Sequence, residues 1–194
     1  MNRNPAATRA RIYAAAYALF YRKGFQRTSL DDIAAKAAVT KRTLYYHVRS
    51  KDELAGAMLA HQHAFVMAEM ASWLDVPGGS ARDARLVIDR LFDSVARWFK
   101  VAASPKKRWT GSGFTRMAME LADLPGHPAR IATRRHKAAV EAELARRFTA
   151  CGVRTAPDLA RQVQMLLEGA MVLTLIHGDV GYAKLAADAA RRLV

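Results

Sequence analysis

Apolar residues recur at intervals of three and four along nearly the whole chain, and this spacing predicts α-helices. No segment alternates apolar and polar residues in the β-branched pattern that is typical of a strand. Stretches rich in proline and glycine interrupt the helical pattern, most clearly at residues 75–79 and 125–128. The sequence therefore predicts an all-α fold with about nine helices.

The first 73 residues contain start signals for four helices. Side chains that cap helix N-termini stand at four suitable positions, which are Asn4, Ser29, Thr40 and Ser50. An acid follows each of the two serines at the third position, and this completes a capping box in both cases. We expect the first helix to end at Gly24 and the fourth to end near Trp73, just before the first break.

The remaining pattern predicts five further helices. Their expected limits are residues 80–103, 114–121, 128–152, 155–178 and 183–193. A basic loop, residues 106–108, precedes the second of them. No linker follows the first three helices, so the domain boundary is expected inside the fourth helix. Residues 1–50 then form one domain and residues 51–194 the other, and the fourth helix, about residues 51–74, is shared by both.

The net charge and its distribution along the chain indicate the kind of partner. The formal net charge is +14 and the sequence pI is about 10.5, which favours a polyanionic partner, nucleic acid first and an anionic membrane second. Residues 1–53 contribute +7 and the other 141 residues also contribute +7, so the positive charge is more than twice as dense near the N-terminus. The first three helices are therefore the expected place for a nucleic acid to bind.

The reactive side chains indicate neither an enzyme nor a metal or cofactor site. The single cysteine, Cys151, excludes an internal disulfide and a Cys-based zinc cluster and suits a reducing cytoplasm; a redox switch is the alternative to a bystander role. The histidines lack the spacing of metal ligands, and no Ser-His-Asp, P-loop or Gly-rich nucleotide motif occurs. The N-terminus has no apolar run suited to a signal peptide, and the most apolar stretch, residues 165–176, is too short to span a bilayer.

The segment over residues 28–54 predicts a helix-turn-helix. Its third helix opens with Thr40, Lys41 and Arg42, followed by aromatic and hydroxyl residues. A helix fits the major groove of DNA with its N-terminal residues facing the base edges, where lysine and arginine can donate to guanine and threonine can pair with several bases. Thr28 and Ser29 open the second helix, whose free amides can hold a phosphate.

The same segment strongly resembles the TetR family of bacterial transcriptional regulators. The resemblance covers about residues 11–54 and rests on pairs at fixed spacing, which are Ala15-Ala16, Leu19-Phe20, Gly24-Phe25, Thr28-Ser29, Ile33-Ala34, Val39-Thr40, residues 43–47 and residues 50–54. By similarity to the family, phosphate contacts are expected from Thr43, Tyr45, Tyr46, His47 and Lys51. Three alternatives remain at this stage: Lys51 as a solvated charge, Tyr45 as partly core, and Ser29 as a helix cap only.

One position departs from the family pattern. The turn between the second and third helices often has glycine where Ala38 stands here. Alanine tolerates a left-handed backbone less well than glycine does, so we expect this turn to be different or strained.

The resemblance also implies a homodimer in which the last two long helices of each protomer pair into a four-helix bundle. The sequence is compatible with this, because the helix over residues 155–178 carries a wide apolar face, made of Leu159, Val163, Leu166, Leu167, Ala170, Leu173 and Ile176. The alternative is a fully buried helix in a monomer. A dimer would place two recognition helices on successive major grooves of a palindromic operator.

The resemblance further implies an effector pocket in the larger domain. Candidates for an apolar or aromatic small molecule are Phe65, Met70, Leu91, Val95, Trp98, Trp109, Phe114, Met117, Met119, Met165 and Glu168. Glu168 lies in an apolar stretch, so it should bind either a ligand donor or an arginine such as Arg130 or Arg134. A second resemblance, to a frequent subgroup of the family over residues 111–173, includes Glu120 and His127-Pro128 but gives no ligand identity.

These observations lead to one hypothesis and two rivals. The hypothesis is a ligand-responsive cytoplasmic regulator, most simply a repressor, that binds double-stranded operator DNA as a homodimer and is released by an effector. The first rival is a basic protein that coats DNA with little sequence preference, and it predicts steep salt dependence without discrimination. The second rival is an enzyme, for which the sequence offers no catalytic constellation.

Overall fold

The structure, a computed structural model, describes residues 4–102 and 111–194, apart from the side chains of residues 100–102. Within these residues the chain forms nine helices and no strand, which confirms the all-α prediction. The helices are α1 (Pro5–Lys23), α2 (Leu30–Lys36), α3 (Lys41–His47), α4 (Lys51–Trp73), α5 (Ala81–Ala102), α6 (Gly113–Glu120), α7 (Pro128–Ala150), α8 (Ala156–His177) and α9 (Gly181–Arg191).

The predicted start signals act as helix caps. The Asn4 side chain accepts a hydrogen bond from the amide of Ala6 at 3.0 Å. Ser29 and Asp32 form a reciprocal capping box, in which each side chain accepts a bond from the amide of the other residue, at 3.0 and 3.1 Å. These bonds satisfy amides that lack partners inside a helix, and they explain why the local sequence locates the helix ends so well.

The chain divides into two compact units. Unit 1 consists of Met1–Phe65 and Ser112–His136, and unit 2 consists of Val66–Gly111 and Lys137–Val194. The helices α4 and α7 each continue from one unit into the other. The compact unit that holds the first three helices therefore also includes α6, which the sequence analysis had assigned to the other domain.

Unit 1 is built around the apolar faces of its short helices. Ile12, Phe20, Ile33, Leu44 and Leu54 are at most 3% exposed. The α3 helix contributes a single buried side chain, Leu44, to this core. Because one side chain per two turns anchors the helix, the rest of its surface is left free for other contacts.

Unit 2 has its own core of α5, α7, α8 and α9. Its largest fully buried side chains are Phe92, Phe99 and Phe148. The α8 helix has 22 residues and is long and apolar enough to cross a membrane by length and composition, whereas the sequence suggested a shorter apolar stretch at residues 165–176. One side of α8, with Leu159 and Val163, belongs to the core of unit 2, as in the core helix of a globular protein.

Candidate nucleic-acid interface

The α3 helix presents the basic and aromatic residues of the motif to solvent. Lys41 and Arg42 are exposed in its first turn, while Tyr45 is 56% and Tyr46 is 82% exposed. Thr43 and His47 are partly buried, and the rings of Tyr46 and His47 meet edge to face at 5.3 Å. The exposure of Tyr45 disfavours the alternative in which this ring packs into the core.

The N-terminus of α3 is fixed by its own side chains. The Thr40 hydroxyl accepts a hydrogen bond from the amide of Thr43 at 3.1 Å, and the two hydroxyl oxygens lie 2.8 Å apart. The ammonium of Lys41 donates to Asp31 on α2 at 2.7 Å, and this hydrogen bond raises the pKa of Lys41. Sequence analysis did not identify Asp31, because the pairing requires the relative placement of α2 and α3.

The turn before α3 contains the backbone feature that the sequence predicted. Ala38 has φ +52°, and among the non-glycine residues that the structure describes no other has a positive φ. The amide of Val39 donates to the carbonyl of Ala34 at 3.0 Å, which closes the turn. The left-handed conformation is therefore required by the turn even though this chain has alanine there.

The start of α2 has fewer free amides and hydroxyls for a phosphate than the sequence predicted. The Thr28 side chain is 1% exposed, and its hydroxyl donates to the carbonyl of Gly24 at 2.7 Å. The amide of Thr28 donates to the carbonyl of Phe25 at 3.2 Å, and the amide of Ser29 is taken by Asp32. The predicted phosphate contact at this end of α2 thus competes with bonds that the folded chain already makes.

Lys51 also has partners inside unit 1. Its ammonium donates to the carbonyls of Phe25 and Thr28, both at 3.1 Å, and lies 4.3 Å from the centre of the Phe25 ring. Such carbonyl and cation–π contacts fix the first turn of α4 against the residues that precede α2. This geometry favours a structural role for Lys51 over the alternative in which its ammonium is simply solvated. Its predicted contact with a DNA phosphate stays a prediction.

The predicted effector residues are divided between the two units. Phe114 and Met117 are buried in unit 1, whereas Met70, Leu91 and Val95 belong to the core of unit 2. Trp98 packs against that core, while three residues are exposed and Trp109 lies outside the described residues. The exposed three are Phe65 at 60%, Met119 at 64% and Met165 at 64%.

Glu168 has a lysine partner that the sequence did not suggest. Its carboxylate accepts a hydrogen bond from the ammonium of Lys137 on α7, and both side chains are about a quarter exposed. Arg130 instead donates to the carbonyls of Leu121 and Ala122, at 3.1 and 2.8 Å. The Arg130 guanidinium thus closes the end of α6, and its pairing with Glu168 stays a prediction.

The predicted dimer surface divides into a buried and an exposed half. Leu159, Val163, Leu167 and Ala170 are buried in unit 2, while Leu173 is 38% and Ile176 is 65% exposed. The exposed residues continue into an open groove between α8 and α9, with a volume of about 580 Å³. We call this surface the α8–α9 groove; it is lined by Gln162, Met165, Leu166, Gly169, Ala170, Leu173, Tyr182, Leu185, Ala186, Ala189 and Leu193. Among the described residues, the apolar surface of this groove thus combines one of the last two long helices, α8, with the short α9.

Cys151 and the possible metal ligands are the remaining reactive groups that the sequence analysis considered. Cys151 is buried, and this burial raises the pKa of its thiol, which disfavours the redox alternative. Among the residues that the structure describes, no group of three or more His, Cys, Asp or Glu side chains could hold a metal ion.

Comparison with known sequences identifies the N-terminal segment. Residues 12–58 match the model for the family of bacterial regulatory proteins of the tetR type. The chain is 41% identical over 76 residues to a probable HTH-type transcriptional regulator, ArpR of Pseudomonas putida, and 46% identical over 56 residues to the HTH-type transcriptional regulator TtgR of the same species. The matches cover 37% and 29% of this chain, and the chain spans only 36% and 27% of the length of these two relatives.

Comparison with solved structures extends the similarity to the whole fold. SCO4454, a TetR-family regulator of Streptomyces coelicolor, superposes with a TM-score of 0.82 at 24% identity, over 97% of this chain and 96% of that one. A protein named as a TetR-type regulator of Streptomyces avermitilis gives a TM-score of 0.74 at 28% identity, over 94% and 97% of the two chains. The helical arrangement is therefore shared well beyond the segment that matches in sequence.

Proposed function

We propose that this chain is a TetR-type transcriptional regulator that represses transcription by binding a palindromic operator as a homodimer. The match of residues 12–58 to the family model and the similarity of the fold to solved TetR regulators support this proposal. A small apolar or aromatic effector binds in the C-terminal domain, over residues 51–194, and releases the DNA. The DNA-binding domain consists of residues 1–50. The protein acts in the cytoplasm, on the nucleoid.

The observation that carries this proposal is the exposure of α3. A seven-residue helix that buries only Leu44 and leaves Lys41, Arg42, Tyr45 and Tyr46 exposed is poorly explained by packing. The same residues provide donors for guanine edges and for phosphate oxygens. We assign base reading to Thr40, Lys41 and Arg42, and backbone contacts to the residues from Thr43 to His47.

The α8–α9 groove supports the dimer. Met165 and Leu185 line this groove and are 64% and 65% exposed although they are large and apolar, and Ile176, elsewhere on α8, is also 65% exposed. Contiguous exposed apolar surface of this kind usually marks a protein interface. A second copy of the chain is the occupant we propose, since two-fold symmetry would present two α3 helices to one duplex.

The effector proposal rests on buried methionine and aromatic side chains. Met117 and Phe114 in unit 1, and Met70 in unit 2, are the adaptable side chains that apolar ligands use. Glu168 and Lys137 form a partly buried ion pair that a polar ligand could contact. The effector acts only through its different affinity for the DNA-bound and released states.

The experiment is selection of bound fragments from a genomic library by the purified full chain. A recovered palindrome would support the proposal, and its neighbouring genes would indicate the class of effector. Recovery of fragments without a shared sequence would instead support the DNA-coating rival.

Competition binding at fixed salt then separates the two functions at the level of residues. Arg42→Ala should lower affinity for the recovered site by about 1–3 kcal/mol and relax its sequence preference. Arg154→Ala is the matched control, since it removes the same charge from an exposed site in unit 2. Equal losses on operator and on random DNA from Arg42→Ala would contradict base reading.

A further inference from the structure

The turn between α1 and α2 is bound by a carboxylate that lies 94 and 95 residues away in the sequence. Oε2 of Glu120, the last residue of α6, accepts a hydrogen bond from the amide of Phe25 at 2.8 Å. Oε1 of the same side chain accepts one from the amide of Gln26, also at 2.8 Å. One carboxylate therefore binds two consecutive amides, a charge-assisted arrangement that is stronger than a pair of neutral bonds.

The backbone of the turn is shaped for this contact. Gly24 has φ +90°, and a Cβ atom built there would lie 3.0 Å from Oε1 of Glu120. A larger residue would therefore meet both the strained backbone and the carboxylate. The glycine at this position both ends α1 and makes room for the acid.

Two other groups bind the same turn from other directions. The ammonium of Lys51 donates to the carbonyls of Phe25 and Thr28. The ring of His127 meets the Phe25 ring edge to face, with 5.1 Å between the centres. The amide side of residues 24–28 is thus held by Glu120, and the carbonyl side by Lys51.

The turn leads directly into the helices that read DNA. Thr28 packs under the turn and Ser29 caps α2, so a displaced turn would shift α2 and, through their packing, α3. We propose that Glu120 is a positioning residue for DNA binding: its carboxylate fixes the turn at residues 24–28 and thereby sets the orientation of the recognition helix. This inference rests on the proposed function, because it assumes that α3 reads a sequence.

The sign of the charge provides a discriminating test. Replacing an acid by a neutral residue on a DNA-binding unit should raise affinity for all DNA, because repulsion of phosphate is removed. A positioning role predicts the opposite for the specific site. Glu120→Gln keeps the shape of the side chain but can accept only through one oxygen, so one of the two amides loses its acceptor.

The experiment measures binding of the full chain to the operator recovered by selection and to random duplex DNA at one salt concentration. Glu120→Gln is expected to lower operator affinity by roughly tenfold or more, with random DNA bound as well as or better than by the native chain. Asp123→Asn is the control, because it removes the same charge from an exposed side chain three residues on. Glu120→Asp, which keeps the charge but is too short to reach both amides, should reproduce the loss.

The outcomes that overturn the inference are equally definite. If Glu120→Gln binds the operator as tightly as the native chain or more tightly, Glu120 does not position α3 and affects DNA binding only through its negative charge. Equal losses on operator and random DNA would show general unfolding rather than positioning.

Amide hydrogen exchange provides a readout that does not depend on DNA. The amides of Phe25 and Gln26 should exchange slowly in the native chain and at least tenfold faster in Glu120→Gln, while that of Leu44 in α3 stays protected. Unchanged exchange at residues 25 and 26 would refute the contact itself. A native chain that shows no sequence preference, with the exchange result as expected, would refute the proposed function while leaving the contact intact.

Discussion

The ammonium of Lys41, at the start of α3, lies 2.7 Å from the Oδ2 atom of Asp31 on α2. Both side chains are more than half exposed, at 67% and 58%. If Lys41 contacts DNA as we propose, the neighbouring acid opposes binding to phosphate in general, and it also restricts the positions that the lysine ammonium can reach. The pair therefore favours discrimination between sequences over total affinity.

Replacing Asp31 tests this view. Asp31→Asn should increase affinity for every duplex, steepen the dependence of log affinity on log salt by about one unit, and reduce the ratio of operator to random binding. Titrations at three salt concentrations measure all three effects. Asp158→Asn, an exposed acid at the start of α8, is the control for charge alone. A sharpened preference for the operator would contradict the prediction.

Glycine substitutions at Ala38 and at Ala35, three residues earlier, should change the free energy of unfolding in opposite directions. Ala38 has φ +52°, so Ala38→Gly should relieve left-handed strain and raise the free energy of unfolding by about 0.5–1 kcal/mol. Ala35→Gly, inside α2 and also exposed, should lower it by up to about 1 kcal/mol. Urea denaturation of the two variants at equal protein concentration measures both. If both glycines destabilise the protein, Ala38 is not strained.

Residues 4–73 show how far the sequence determines the structure. Asn4, Ser29 and Thr40 locate helix ends because capping is local, involving amides two or three residues away. Glu120 was noticed only as part of a resemblance, since its partners are 94 and 95 residues distant and no spacing rule relates them. The lysine partner of Glu168 was missed for the same reason: contacts between helices depend on packing, which short-range patterns do not encode.

Replacing Lys51 distinguishes a structural role of this lysine from a contact with DNA phosphate. Lys51→Ala removes two hydrogen bonds to carbonyls and the contact with the Phe25 ring, so we expect the free energy of unfolding to fall by roughly 1–3 kcal/mol. Denaturation without DNA measures this effect. Arg49→Ala is the control, because Arg49 is an exposed cation two residues earlier. A stable Lys51→Ala variant whose salt dependence flattens by about one unit would instead favour the phosphate contact.

The α8–α9 groove should control assembly. Leu185 is 65% exposed in a single chain, so Leu185→Glu should leave the protomer folded while it places a charge in the proposed interface. Sedimentation equilibrium should then show monomers at concentrations where the native chain is dimeric, and operator affinity should fall with the loss of the second reading helix. Leu124→Glu, at a 54% exposed leucine in unit 1, should leave the dimer unchanged. A dimeric Leu185→Glu variant would exclude this surface as the main interface.

Glu143 on α7 should make unit 2 sensitive to acid. Its carboxylate accepts hydrogen bonds from Arg146 at 2.6 and 2.8 Å and from Arg147 at 2.8 Å, and the bonds from Arg146 above all hold the pKa of Glu143 below its usual range. A carboxyl whose pKa is lower in the folded than in the unfolded state stabilises the fold fully above the unfolded value. That contribution disappears as the pH falls through the folded value, so the loss belongs to the acid range below about pH 5.

The comparison is therefore between the native chain and Glu143→Gln. The native chain should lose more free energy of unfolding between pH 7 and pH 3 than the variant does, because the variant has no carboxylate to protonate at this site. Urea denaturation at both pH values, at one protein concentration, measures the difference. Glu69→Gln makes the same change of charge at an exposed position on α4, still within unit 2. If the two variants lose stability with acid to the same extent, the ion pairs of Glu143 do not contribute to folding.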